Sequence, residues 1–311
     1  MSLRGLLVYN PRASTTTART LHVLTAALGE ELKLDTAGTR GRGHASELAA
    51  DARDDGLDVV VALGGDGTAN EVTNGLLARG TGSDVPALAV VPGGCTNVFA
   101  RTVGLPTDAV EATGQILEAL RSGRRRTVGL GRADERWFLF AAGVGLDAEV
   151  VEKVELARAA GRRATGPLYA RVAARHWLLG SAERRHAPLR LRVPGGRPEP
   201  LFLALVTNTD PWTYLLDRPV RPTPESAYDA GLDVFGLRRD TTVATLRTLG
   251  SILGAAGSPR GRHVVLHHDL PGFEIRSSDG TPRAVQVDGD YLGVRDRVVF
   301  GSVPAALDVV V

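Results

Sequence analysis

Three glycines, an aspartate and a threonine stand together at Gly64-Gly65-Asp66-Gly67-Thr68, directly after the apolar run Val59–Leu63. Glycine lacks a Cβ and lets a backbone come close to a ligand. The N–H groups that open a following helix favour an anion, and Asp66 or Thr68 has a side chain suited to cap that helix. Such a stretch, continued by Ala69 and Asn70, suits the holding of phosphate. An ordinary strand-to-helix turn reads the same way at this level, so the neighbouring loops decide.

Three further loops follow strand-like runs: Asn10-Pro11-Arg12-Ala13-Ser14, Thr39–His44 and Pro92–Asn97, the last containing Cys95. All are rich in Gly, Ser, Thr and Asn, the small donors that phosphates accept from. In a doubly wound sheet, loops after successive strands converge on one edge. None follows Gly-x4-Gly-Lys-Ser/Thr or Gly-x-Gly-x-x-Gly. Phosphates would be held instead by backbone N–H groups and Mg2+, without a loop lysine.

Two acidic turns lie late in the chain. Tyr228-Asp229-Ala230-Gly231-Leu232-Asp233 offers oxygen ligands for a hard cation, or is an Asp/Gly turn entering a strand. Asp288-Gly289-Asp290 is a hairpin signal first. A carboxylate of that turn, aimed into an interdomain cleft, could also take the proton from an attacking hydroxyl. His267 and His268 adjoin, and on a strand they point to opposite faces. No Ser-His-Asp arrangement emerges.

The elements that must position these loops alternate β and α over residues 1–125. Leu3–Tyr9, Val59–Leu63 and Ala87–Val91 read as strands. Thr16–Leu34, with Leu21, Leu24, Leu28 and Leu32 on one side, reads as a helix, as do Ala45–Asp54, Thr96–Val103 and Ala109–Ser122. The pattern predicts an α/β doubly wound N-terminal domain. Residues 126–311 change to short period-2 runs, among them Arg126–Arg132, Trp137–Gly143, Leu201–Thr207, Leu232–Gly236 and Gly272–Ser277. These predict an antiparallel β-sandwich C-terminal domain. Helical insertions are expected at Ala148–Leu179 and Thr241–Leu253, and a last strand that returns to the first domain is compatible with the pattern.

The 311 residues suit two domains, and a formal net charge of +2 gives no preference for nucleic acid. Val151–Pro200 carries 11 Lys and Arg against 4 Glu. Such a basic face suits anionic lipid headgroups, or is simply a solvated surface. One cysteine rules out an intramolecular disulfide. With no signal-peptide pattern and no long apolar run, the expectation is a soluble intracellular protein.

Taken together, the motifs resemble the diacylglycerol kinase catalytic domain family, a superfamily shared with sphingosine kinases, NAD kinases and phosphofructokinases. The resemblance rests on Gly64–Val72, Tyr9-Asn10-Pro11, Thr39 with Gly43-His44-Ala45, Pro92–Arg101, Ala142–Ala148, Asp229–Val234 and Asp288-Gly289-Asp290. It implies ATP-dependent phosphorylation of a lipid hydroxyl, diacylglycerol by default. ATP would lie in the interdomain cleft against Asn10, Pro11, Arg12, Ala13, Ser14, Thr39, Gly64–Asn70 and Cys95. Asp66 would serve the Mg2+–phosphate network and Asp290 would be the general base. Asp229, with Ser226 and the Gly231 carbonyl, would form a second metal site. The resemblance further implies a lipid substrate met at the membrane surface by a cytoplasmic, peripherally attached protein. A homodimer is compatible with it.

This chain departs from the family pattern at four places. Asp290 replaces a glutamate, Cys95 a threonine and Val98 an aspartate, and Gly129 stands where another aspartate is frequent. These departures motivate an alternative, a weakly active or non-catalytic nucleotide- and lipid-binding module. A kinase of a soluble substrate such as NAD is a further alternative.

Overall fold

The computed structural model describes residues 3–11, 13, 16–159, 187–215, 217–238, 248, 250–252, 259 and 261–311. They form two compact units, one of Met1–Gly129 with Ala305–Val311 and one of Leu130–Pro304.

The first unit contains β1 (Leu3–Tyr9), α1 (Ala18–Leu28), β2 (Leu32–Gly38), α2 (His44–Asp54), β3 (Val59–Gly64), α3 (Asp66–Leu76), β4 (Ala87–Pro92), α4 (Val98–Thr102) and α5 (Ala109–Ser122). Strands β2, β1, β3 and β4 lie in that order, all parallel. Every residue of β3 and β4 is buried, as a parallel strand covered on both faces requires. Asp108 starts α5 by accepting the N–H groups of Val110 and Glu111, and Gly123 closes it in the left-handed region.

The expected helix Thr16–Leu34 is two elements. α1 stops at Leu28, capped by Gly29, and β2 begins at Leu32. Leu32 is buried and Lys33 exposed, and the two pair in register with Leu3 and Arg4 of β1. The leucines at 28 and 32 fit a helical spacing, but pairing with β1 overrides it. Neither Asp66 nor Thr68 caps α3. The N-cap is Gly65, and no side chain bonds there.

The second unit begins at Leu130, within β5 (Arg126–Ala133). It holds β6 (Arg136–Phe138), β7 (Ala141–Gly145), α6 (Leu146–Ala159), β8 (Leu189–Arg192), β9 (Glu199–Leu201) and β10 (Leu203–Thr207). The chain continues through β11 (Thr213–Leu215), β12 (Arg218–Val220), β13 (Leu232–Leu237), β14 (Val264–Leu270), β15 (Gly272–Ser277), β16 (Arg283–Val287), β17 (Asp290–Arg295) and β18 (Arg297–Val309). One antiparallel sheet runs β14-β13-β10-β7-β16-β17, and another layer runs β18-β15-β8-β9. Val144, Val206, Val234 and Val285 of the first layer pack into one core with Leu189, Leu191, Ile275 and Phe300 of the second. Phe273 stacks on Phe300 at 5.1 Å between ring centres. This is the expected sandwich. The end of β18 leaves it and pairs Val309 with Leu88 of β4.

The expected strand Trp137–Gly143 is broken at Leu139-Phe140, and Leu201–Thr207 is broken at Phe202. Strand β17 had no alternating apolar signal. Most of the insertion Ala148–Leu179 beyond α6, with Trp177, Leu178 and Leu179, lies outside the described residues, as does most of Thr241–Leu253.

Candidate functional site

In the first unit the chain runs through β1 and β2, then crosses back to β3 on the other side of β1. The strand order therefore reverses between β1 and β3, and the crevice at the carboxyl ends of those strands is where such sheets bind ligands. Backbone bonds tie the loops there side by side. Thr39 N–H donates to the Tyr9 carbonyl at 2.9 Å, Asn10 N–H to Leu63 at 3.3 Å, and Gly93 N–H to Gly64 at 2.7 Å. All four loops singled out in the sequence thus share one edge. Ala13 N–H closes the first loop on the Asn10 carbonyl, and Pro11 is exposed. Arg12 and Ser14 lie outside the described residues.

The glycines have separate reasons. A Cβ on Gly94 would stand 2.6 Å from Gly65 Cα, so the two loops meet backbone to backbone. A Cβ on Gly64 would stand 2.5 Å from Thr68 Oγ1, so Thr68 folds back over the turn. Asn97 takes the left-handed region at φ 49° and closes the second loop from both sides. Its Oδ1 accepts Gly94 N–H at 2.8 Å and its Nδ2 donates to the Gly94 carbonyl at 3.0 Å.

Asp66 joins the two loops. Its Oδ1 accepts the Phe99 N–H at 3.0 Å, so a carboxylate at the start of α3 caps α4 from outside that helix. Burial pushes its carboxyl up from 3.8 to about 6, against the pull of the Phe99 and Val98 N–H groups. Glu71, one turn further along α3, accepts Gly43 N–H at 2.9 Å and Ala45 N–H at 3.3 Å. It fixes the third loop, where Gly43 has φ 85° and so favours glycine. Ala69 and Asn70 are buried, and Asn70 Oδ1 accepts from Asn74 Nδ2 at 3.1 Å. Cys95 is exposed.

In the second unit, Asp290 opens β17 and its Oδ2 lies 3.8 Å from Arg136 Nη2. The turn before it is heavily fixed. Buried Asp288 accepts three successive N–H groups, from Leu139 at 2.7 Å, Phe140 at 3.0 Å and Ala141 at 3.1 Å. This is why the β6–β7 run breaks there: its donors face a carboxylate instead of a strand. Asn208 holds the same segment by its carbonyls, donating to Phe140 at 2.9 Å through its N–H and to Leu139 at 3.0 Å through Nδ2.

Of the expected metal ligands, Asp229 is exposed and Ser226 is buried, with an Oγ that has no hydrogen-bond partner among the described residues. Gly231 N–H donates to Asp269 Oδ1 at 2.6 Å. Hydroxyl, carboxylate and carbonyl oxygens are the kinds of ligand a hard cation takes. Among the described residues no three His, Cys, Asp or Glu gather as a metal cluster. Nearby, Asp233 binds His268 Nδ1 at 2.9 Å, which raises the imidazole above its ordinary value.

Sequence reasoning passed over Glu71, Asn97 and Gln286 as working residues, and it weighed Asp147 and Asp288 as acids without seeing the bonds they make here. Glu71 and Asn97 stand inside the motifs already singled out, within reach of the glycines by helical or turn spacing. Asp288 reads as the first residue of a turn, and nothing local shows that its partners lie about 150 residues earlier.

The class these features define is an α/β unit with a glycine-rich loop edge, joined in one chain to a β-sandwich unit. Residues 4–133 match the family model of the diacylglycerol kinase catalytic domain. A diacylglycerol kinase of Staphylococcus saprophyticus is 33% identical over 153 residues, 47% of this chain and 46% of that protein. One of Bacillus subtilis is 32% identical over 151 residues, again 46% of each. The chain thus spans about half the length of the curated relatives it matches. A crystal structure of a diacylglycerol kinase from Bacillus anthracis superposes with a TM-score of 0.69 at 20% identity, over 99% of this chain and 96% of that one. At that identity the likeness is one of fold.

Proposed function

We propose that the chain is a lipid kinase of the diacylglycerol kinase type, moving a phosphoryl group from ATP to the hydroxyl of diacylglycerol or a related lipid. The observation that carries this reading is the row of four tied loops at the β1–β3 reversal, inside the segment that matches the kinase family. Bound ATP supplies the transferable phosphoryl group. Asn10, Thr39 and the Gly64–Thr68 turn would hold it by backbone N–H groups and small side chains. Asp66 would face Mg2+, and its bond to Phe99 would keep the Pro92–Asn97 loop against the glycine turn. Asp290 would accept the proton of the attacking hydroxyl, its carboxylate lying 3.8 Å from the Arg136 guanidinium. Asp229, Ser226 and the Gly231 carbonyl would hold a separate structural cation.

The protein would meet its lipid at a membrane surface from the cytoplasm. Among the described residues no helix is long and apolar enough to cross a membrane. The arginines of Val151–Pro200 would favour anionic bilayers. Flotation with anionic and neutral vesicles tests this: equal binding to both, insensitive to salt, would remove the proposal.

A second reading is a module that binds nucleotide and lipid with little transfer. It is favoured by Val98, Gly129 and the short Asp290 carboxylate. Incubation with labelled ATP and a mixed lipid extract separates the two readings. A labelled lipid supports the kinase, and ATP binding without transfer supports the module.

A further inference from the structure

The turn that presents Asp290 is held from α6. Gln286 Nε2 donates to Asp147 Oδ2 at 2.7 Å, and Gln286 Oε1 accepts Gly289 N–H at 3.0 Å. Gly289 is the residue before Asp290. On the other side, Tyr291 N–H donates to Glu155 Oε1 at 3.0 Å. Asp147 and Glu155 both belong to α6, about two turns apart, so one helix grips the residues on either side of Asp290. Gly143 leaves room for this: a Cβ there would collide with both the Asp147 carboxylate and the Gln286 amide. The amide cannot turn over without losing both bonds, because an ionised carboxylate accepts only and an N–H donates only.

We infer that Asp147 and Gln286 are positioning residues for Asp290, a brace that sets the direction of its carboxylate. The inference rests on the proposed kinase reading, in which Asp290 takes the hydroxyl proton. Asp290 is one methylene shorter than the glutamate its family uses, so its reach depends on where the backbone is held, and proton transfer tolerates little displacement. A carboxylate on a rigid helix, acting through one amide, fixes that backbone at Gly289. Neither Asp147 nor Gln286 needs to touch a substrate to do so.

The test is carried out on the full chain with Gln286→Leu, Asp147→Ala, Asp147→Asn and the double variant Asp147→Ala/Gln286→Leu. Two quantities are read: amide hydrogen exchange at Gly289, and kcat for lipid phosphorylation against KM for ATP. Gln286→Leu should speed Gly289 exchange and lower kcat about tenfold, leaving KM for ATP within about twofold. The double variant should fall no further than Gln286→Leu alone, because both changes cut one chain of bonds. Asp147→Asn keeps an acceptor oxygen for the amide and should restore Gly289 protection relative to Asp147→Ala. Unchanged Gly289 exchange in Gln286→Leu, or additive losses in the double variant, would overturn the brace. If the wild type transfers no phosphate while Gly289 exchange responds as expected, the kinase reading fails and the catalytic purpose of the brace fails with it.

Discussion

Gly65 and Gly94 touch through their backbones, with room for no side chain between the loop after β3 and the loop after β4. The contact binds two glycine-rich loops into one surface. A methyl group at Gly94 would stand 2.6 Å from Gly65 Cα, and neither backbone has a flexible end that can give way. Gly94→Ala should therefore separate the loops. Stability should fall by about 1–3 kcal/mol, read from thermal or urea unfolding. Affinity for a non-hydrolysable ATP analogue, read by calorimetry, should fall by more than stability alone explains.

Glu71 acts on the neighbouring loop. It accepts two backbone N–H groups at the start of α2, which have no other side chain to cap them. Glu71→Ala should cost about 1–3 kcal/mol and weaken nucleotide binding. Glu71→Gln, which keeps one acceptor oxygen, should fall between the two in both measurements.

Asp288→Ala would leave the Leu139, Phe140 and Ala141 N–H groups facing an apolar void. Charge-assisted bonds of this kind are costly to lose, and a drop of the order of 3 kcal/mol or more is expected. Lipid phosphorylation should fall with it, because the turn that presents Asp290 loses its anchor. Urea midpoints and transfer assays on the same preparation check the pair of effects.

Asp147 makes stability depend on pH. Burial pushes its carboxyl up from 3.8 to about 6. Between those values the folded chain keeps a proton that the unfolded chain releases. Its contribution to stability is therefore full below about pH 4 and lost as pH rises through 6, by up to about 3 kcal/mol. The stability of Asp147→Asn relative to wild type should rise over that window and level off above about pH 7. Urea titrations of both proteins at several pH values read this difference, and a flat difference would contradict the burial of the charge. Asp66, raised to about 6 for the same reason, should add a slope of the same sign.

Much of this was legible in the chain. The loops at Asn10, Thr39, Gly64 and Pro92 announced themselves by small polar residues after apolar strands, and the β/α alternation said that they meet. Buried strands such as Val59–Gly64 carry their environment in their composition. What stayed hidden depended on distant partners. Leu32 reads as a helical residue until β1 is there to pair with it. Trp137–Gly143 reads as one strand until Asp288 takes its donors. Asp147 and Gln286 lie 139 positions apart, and neither has a local pattern that reveals the other.

The central claim is phosphoryl transfer to a lipid hydroxyl with Asp290 as the base. Labelled ATP and a mixed lipid extract, given to wild type and to Asp290→Asn, test it most directly, with products separated and identified. The account predicts a labelled phospholipid from wild type and a loss of at least about a hundredfold in Asp290→Asn, with ATP-analogue binding retained. Equal transfer by both proteins would contradict the role of Asp290, and no labelled lipid from a wild type that still binds ATP would contradict the kinase itself.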